Sequence, residues 1–246
     1  MIIGEGYTNR GGREYNEDKG AFAVKGKKCY AVIADGLGGH GGGDKASLEA
    51  VGTVTKCIRE WQEGKPVTER DMTEWFEKAN QNVLAMQTAD CRMKTTLALL
   101  CIDEEERMAH LAHLGDSRIY HFENGKYVFC TFDHSVSRMA VLAGEIEMKD
   151  IRFHEDRNKL LKAIGKAGDV KAETGVISLD RQSNHAFLLC TDGFWEYVTE
   201  KEMEQTLQSA ASPKEWLGAM RGYLEKKAGD ENDNNSAIAV WVCEEE

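Results

Sequence analysis

Proline is scarce: only Pro66 and Pro213 occur in 246 residues, and no Pro- or Ser-rich stretch interrupts the chain. No internal repeat or low-complexity tract is present either. One domain spanning residues 1–246 is the simplest organisation. The seven cysteines are odd in number and form no CxxC pair, which argues against a zinc site or a disulfide framework. Cys101 and Cys190 sit in apolar runs, where a thiol behaves as a small hydrophobe. No apolar stretch reaches the ~18 residues that a membrane span needs. Nor is there an N-terminal apolar segment, because Arg10, Arg13, Glu14, Glu17 and Asp18 arrive early. The expected compartment is the cytosol. Positive charge is also short: 31 Lys and Arg face 42 Asp and Glu, a net charge of −11. Nucleic acid and anionic membranes are therefore not expected partners.

What is present is an ordinary soluble composition, 41% hydrophobic and 30% charged, with one recurrent feature. The apolar run Tyr30-Ala31-Val32-Ile33-Ala34 ends in Asp35-Gly36. The run Leu111-Ala112-His113-Leu114 ends in Gly115-Asp116. The run Ala186-Phe187-Leu188-Leu189-Cys190 ends in Thr191-Asp192-Gly193. A carboxylate at the end of a buried strand is costly unless a cation meets it. Several at one place repel one another, and a divalent metal is the usual remedy.

Periodicity supplies a coarse fold. Leu48, Val51, Val54, Ile58 and Trp61 share one helical face, and Met72, Trp75, Phe76, Ala79, Val83 and Met86 share another. Gly64-Lys65-Pro66 reads as the turn between them. Residues 95–102, 108–114, 119–122 and 127–129 read as successive strands, with Asn124-Gly125 as a hairpin signal. Ser212-Pro213-Lys214-Glu215 reads as a capping box opening a helix that carries Trp216, Leu217, Met220 and Leu224. Residues 237–242 read as a last strand. Clustered strands and paired helices predict an α+β fold.

One motif misleads. Gly36-Leu37-Gly38-Gly39-His40-Gly41 matches G-x-G-x-x-G, and Glu60 lies roughly where a ribose partner belongs. However, Asp35 would face a pyrophosphate, and a second helix follows where a strand is required. No Gly-Lys-Ser/Thr follows, so it is not a Walker A loop. The glycines instead let the backbone at Gly36 turn its carbonyl toward a cation beside Asp35.

In chain order the charged landmarks are Arg13-Glu14-Tyr15-Asn16-Glu17-Asp18, Asp35-Gly36, Thr95-Thr96-Leu97, Gly115-Asp116-Ser117-Arg118, Asp133-His134-Ser135, Ala163-Ile164-Gly165, Thr191-Asp192-Gly193 and Asp233-Asn234-Asn235-Ser236. This ordered set resembles the PPM family, the type 2C metal-dependent protein serine/threonine phosphatases, in its short bacterial form. The resemblance covers essentially the whole chain. It implies a four-layer α-β-β-α sandwich of two antiparallel β-sheets flanked by helices, and two Mn²⁺ or Mg²⁺ ions, with a third weaker one beside them. By match to the family motifs, Asp35 bridges the ions and Asp192 and Asp233 complete one ligand set. The Gly36 carbonyl and Glu17, directly or through water, serve the other. Asp116 with Asp192 serves a third ion, Asp18 orients water, and Arg13 grips the substrate phosphate.

The implied reaction is hydrolysis of phosphoserine and phosphothreonine by direct attack of a hydroxide bridging the metals. The implied partners are phosphorylated proteins made by a serine/threonine kinase, and the implied state is a monomer. Two alternatives share the fold: a phosphatase for phosphotyrosine or small phosphoesters, and a non-catalytic phospho-binding module. The chemistry of the residues agrees with the resemblance, because hard cations prefer oxygen donors and an arginine fork suits phosphate. One position departs from many eukaryotic relatives: Leu37 stands where they carry a histidine, and His40 is only a weak substitute as proton donor.

Bland roles suit the other landmarks. Asp133-His134-Ser135 reads as a turn into a helix, Asn234 as a pin for the Asp233 loop, Thr95-Thr96 as packing beside the cleft, and Arg118 as a partner for surface acids. Residues 137–158 match the family's mobile flap. There Arg152, His154 and Arg157 fit either contacts to a phosphopeptide or a solvated loop.

Overall fold

A computed structural model describes residues 1–38, 42–62, 65–168 and 170–243, without the side chain of Gln62. Gly39, His40, Gly41 and Gly64 lie outside the described residues. In chain order the strands are β1 (Ile2–Asn9), β2 (Lys19–Lys25), β3 (Lys28–Ala34), β4 (Gly36–Leu37), β5 (Lys94–Thr95), β6 (Leu97–Asp103), β7 (Met108–Leu114), β8 (Arg118–Glu123), β9 (Lys126–Cys130), β10 (Glu173–Ser178), β11 (His185–Cys190) and β12 (Asn235–Val242). The helices are α1 (Gly43–Gln62), α2 (Glu69–Met86), α3 (Val136–Leu142), α4 (Asp192–Trp195), α5 (Glu200–Ser209) and α6 (Pro213–Lys227), with a 3₁₀ helix at Met148–Phe153.

Strict alternation along the central strands builds the layers. In β3, Cys29, Ala31 and Ile33 face one core, while Tyr30, Val32 and Ala34 face another. In β12, Ile238 and Val240 join the first of these cores, while Ala237 and Ala239 face a third. The shared core lies between two antiparallel sheets, ordered β1-β12-β11-β8-β9 and β10-β7-β6-β3-β2. Helices α1 and α2 cover one outer face through Val54, Ile58, Met72 and Phe76. Helices α5 and α6 cover the other through Met203, Leu207, Trp216 and Met220. Each of these strands is buried on both faces, which is why they read as unbroken apolar runs. The architecture is thus the α-β-β-α sandwich that the resemblance implied. Among the described residues, no helix is long and apolar enough to cross a membrane.

Several local readings need correction. Leu48 is 60% exposed, so the inner face of α1 is Val51, Val54, Ile58 and Trp61 without it, and Met86, in the last turn of α2, is likewise exposed beyond the buried Met72, Phe76, Ala79 and Val83. The expected strand over 95–102 breaks at Thr96, whose N–H and Oγ1 both bond the backbone of Asp35. Ser212 does cap α6, but the reciprocal arm goes elsewhere: the Glu215 carboxylate accepts from Ala211 N–H rather than from Ser212 N–H. Residues 137–158 are not a plain loop; they hold α3 and the 3₁₀ helix.

Register fixes where the functional residues gather. Lys19 pairs with Ala34, so Asp18 and Asp35 leave adjacent strands side by side. Leu97 pairs with Leu114, which sets Thr96 beside Gly115. In the other sheet Cys190 pairs with Ala237 and with Arg118. The ends of β3, β7 and β11 and the starts of β2 and β12 therefore share one edge of the sandwich.

Candidate metal centre

At that edge lies a cavity of about 410 Å³ lined by Arg13, Glu17, Asp35, Asp116, Asp192 and Asp233, with Gly36, Leu37, Gly38 and Asn234. Each acid arrives on a different connection. Burial and mutual repulsion act on them together. The Asp35 carboxyl is pushed well above the usual carboxylate range, first by burial and then by Asp192, Asp18, Asp116 and Asp233. Asp192 is pushed well up by burial, Asp116, Glu196 and Asp233. Burial, then Asp133, raises Asp116 to about 7. Carboxyls crowded this way hold protons unless a cation replaces them.

The backbone around each acid is held tightly. Asp35 N–H donates to Thr96 Oγ1 at 2.8 Å, and Thr95 Oγ1 donates to Asp35 O at 2.8 Å. Asp192 opens the short helix α4, where its Oδ1 accepts from Gly193 N–H. A Cβ on Gly193 would lie 2.1 Å from Asn234 O, so glycine is what lets the Asp192 and Asp233 loops touch. A Cβ on Gly36 would lie 2.2 Å from Gly43 O, so the Asp35 connection also rests on the start of α1. Asn234 is the pin foreseen for the Asp233 loop. Its amide donates to Arg10 O at 2.8 Å and Tyr15 O at 2.9 Å, and its Oδ1 accepts from Glu17 N–H at 2.8 Å. It thereby ties the Asp233 loop to the Arg13–Asp18 segment.

The remaining candidates take distinct positions. Burial raises the Glu17 carboxyl, while backbone N–H groups of Gly43 and Asp44, at the start of α1, counter that by bonding it. Asp18 is 1% exposed; its Oδ2 accepts from Thr191 Oγ1 at 2.9 Å, whereas its Oδ1 has no partner. Burial raises it to about 7. Arg13 is 55% exposed in its side chain, and its Nη2 lies 2.7 Å from Asp233 Oδ2. Leu37 lines the cavity as expected, and no histidine is among the described residues lining it.

Two expectations about arginines change. Arg118 is buried rather than paired with surface acids: its Nε and Nη2 bond both oxygens of Asp133, at 2.8 and 2.7 Å. Its guanidinium also lies 3.5 Å over the Trp195 ring. Trp195 Nε1 in turn donates to Asp116 O at 2.9 Å, so this buried assembly supports the Asp116 turn. Arg152 is also buried, bonded to Val198 O and to Glu200, and so does not face a substrate. Arg157 pairs with Glu196 at 2.6 Å.

Sequence reasoning missed Leu160 and gave Asn158 no role beyond ending the flap segment; both wall the cavity from that side. No pattern marked them, since they are brought in by a bridge between Ser135 and Leu160. It also missed Gly43, which the glycine run before α1 could have signalled.

The donor set fits hard divalent cations: several carboxylates converge with no thiol or imidazole among the described lining residues. Asp18 is not among those lining residues, and one of its buried oxygens lacks a partner.

The protein phosphatase 2C family pattern matches residues 5–228. The chain belongs to that family. It is 33% identical over 235 residues to the serine/threonine phosphatase stp of Listeria innocua, covering 92% of this chain and 90% of the relative. The S. agalactiae serine/threonine phosphatase superposes with a TM-score of 0.83 at 25% identity, over 99% of this chain and 100% of that one. The catalytic domain of the serine/threonine protein phosphatase PstP, solved in complex with two manganese ions, has the same fold. It superposes with a TM-score of 0.80 at 21% identity, over 98% of this chain and 99% of that one. This member of the protein phosphatase 2C family is an enzyme, a metal-dependent protein phosphatase.

Proposed function

We propose that the cleft hydrolyses phosphoserine and phosphothreonine in proteins, using two Mn²⁺ or Mg²⁺ ions. Asp35 would serve both ions, Asp192, Asp233, the Gly36 carbonyl and Glu17 would be the further ligands, and Asp116 with Asp192 would hold a weaker third ion. The observation that carries the reading is the convergence of Glu17, Asp35, Asp116, Asp192 and Asp233 on one cavity with Arg13 beside them, a crowding of carboxyls that shared cations relieve. When bound, such ions supply deprotonated water at neutral pH and neutralise charge that develops on phosphorus.

The rest is done by the chain. Asp18, with one free oxygen, accepts a hydrogen bond from water and fixes its orientation. Arg13 turns its guanidinium from Asp233 toward the phosphate, where its fork grips two oxygens. Leu37 offers no proton and no histidine is among the described lining residues, so we assign protonation of the departing alkoxide to water admitted to the cleft. No cysteine, serine or histidine nucleophile takes part, so no phosphoenzyme forms. An anionic substrate is accepted by an acidic protein because the loaded centre is locally positive.

The same reading treats residues 1–246 as one catalytic domain acting as a cytosolic monomer on the products of a serine/threonine kinase. A phosphopeptide panel titrated with Mn²⁺ and Mg²⁺ tests it. Metal-dependent release of phosphate from phosphoserine and phosphothreonine peptides is expected. Preference for phosphotyrosine or small esters would overturn the substrate class, and binding without turnover would make the chain a recognition module.

A further inference from the structure

His134 lies outside the cleft lining, and the phosphatase reading leaves it without a role. It is nevertheless joined twice to Gly115, the residue before Asp116. His134 N–H donates to Gly115 O at 2.9 Å, and His134 Nδ1 accepts from Gly115 N–H at 3.2 Å. Gly115 has φ +111°, and a Cβ there would lie 2.6 Å from Thr96 Cγ2. The turn that delivers Asp116 therefore depends on a strained-for-others backbone that something must hold.

The far side of the imidazole explains its state. His134 Nε2 is buried, bonds no acceptor at ordinary distance, and faces Glu173 Oε2 at 3.4 Å. A carboxylate there favours the tautomer with its proton on Nε2, which leaves the Nδ1 lone pair for Gly115 N–H. Burial, then His113 and Lys162, lowers the His134 pKa to about 4, so the ring is neutral near pH 7. His113 stacks on it at 4.8 Å and 22°, with its own Nε2 on Phe132 O at 2.8 Å. The donors of His113, His134 and Glu173 lie within 4.8 Å of one another, a spacing that invites a metal reading. Stacked, nearly parallel rings cannot both aim an in-plane lone pair at one ion, however. A metal on Nε2 would also drive the proton to Nδ1, against Gly115 N–H.

We propose that His134 is a positioning residue: with its tautomer set by Glu173, its Nδ1 holds Gly115 N–H and so aims the Asp116 carboxylate into the cleft. This rests on the reading of Asp116 as a ligand of the weakest ion.

Two measurements test it. In ¹⁵N-labelled, metal-free wild type, long-range ¹⁵N–¹H spectra at pH 7 should show His134 protonated on Nε2. A proton on Nδ1, or displacement of that signal by one equivalent of Zn²⁺, overturns the proposal, and neither needs a variant to fold. Calorimetric Mn²⁺ titration and exchange of the Gly115 amide then compare His134→Asn, which keeps an acceptor near the Nδ1 position, with His134→Leu, which does not. His134→Leu should weaken the weakest Mn²⁺ event about tenfold and speed Gly115 exchange, while His134→Asn stays close to wild type. Equal behaviour of the two variants overturns the role of His134. Asp116→Asn separates the two layers: it should abolish that event, and its persistence in Asp116→Asn would sink the Asp116 reading itself.

Discussion

Arg13 Nη2 and Asp233 Oδ2 meet at 2.7 Å across the lip of the cleft, although one is assigned to phosphate and the other to metal. The pair is largely exposed, so it contributes little to stability. The role proposed for it is positional: released from Asp233, Arg13 would turn its guanidinium toward a phosphate in the cavity that both residues line. Arg13→Ala should raise KM for a phosphopeptide and lower kcat/KM roughly ten- to a hundredfold, the worth of charge-assisted hydrogen bonds. Arg13→Lys should recover only part, because it lacks the planar fork. Steady-state kinetics decide this, and an unchanged KM removes the assignment.

Asp35→Asn and Asp192→Asn should each lower turnover by orders of magnitude yet raise the melting temperature of the metal-free protein. Both carboxyls are pushed well above the usual range, so their charged forms oppose folding. A raised folded pKa gives stability that is present below the unfolded pKa and lost as pH rises through the folded one. The gain from either substitution should therefore grow with pH above the ordinary Asp range. Calorimetry in chelator, read beside activity, checks both halves. A variant that melts lower at neutral pH would contradict the crowding argument.

The Arg118–Asp133 pair is buried and bidentate, with side chains 3% and 1% exposed. Removing one partner strands the other charge, so Asp133→Ala should cost about 3–5 kcal/mol. Urea unfolding measures the loss. Because Trp195 links this pair to Asp116 O, activity in the surviving folded fraction should also become more demanding of metal.

His121 supplies an acid limb. His185 Nε2 donates to Asp180 O, so His185 Nδ1 accepts from His121 Nε2, leaving His121 Nδ1 buried without a partner. Burial, then His185, lowers the His121 pKa from 6.5 to about 4. A depressed folded pKa gives stability that is present above 6.5 and lost as pH falls toward 4, up to roughly 3 kcal/mol. His121→Phe should flatten that part of the curve in urea titrations across this range. An identical acid limb in wild type and variant would refute it.

Part of the candidate centre was legible because three of its acids, Asp35, Asp116 and Asp192, follow apolar strands and sit beside glycine, whereas Glu17, Asp18 and Asp233 precede strands and showed only through the resemblance. Strand-end chemistry is local, so Asp35, Asp116 and Asp192 show in the chain itself. Helix faces were legible for the same reason, apart from Leu48 in α1 and Met86 at the end of α2, which lie outside the buried arcs of those helices. What escaped was set by long-range packing. Arg118 and Arg152 look like surface residues until Asp133 and Glu200 arrive from elsewhere in the chain. Asn158 and Leu160 enter the cleft only through the bridge at Ser135, which no periodicity announces. The break at Thr96 depends on bonds to Asp35, about 60 residues away in the chain.

Anomalous diffraction from manganese-soaked crystals tests the central claim most directly. Two peaks roughly 3.5–4 Å apart should appear, with Asp35 between them and Asp192, Asp233 and the Gly36 carbonyl in contact. Crystals that turn over phosphopeptide yet show no manganese among these oxygens would contradict the account.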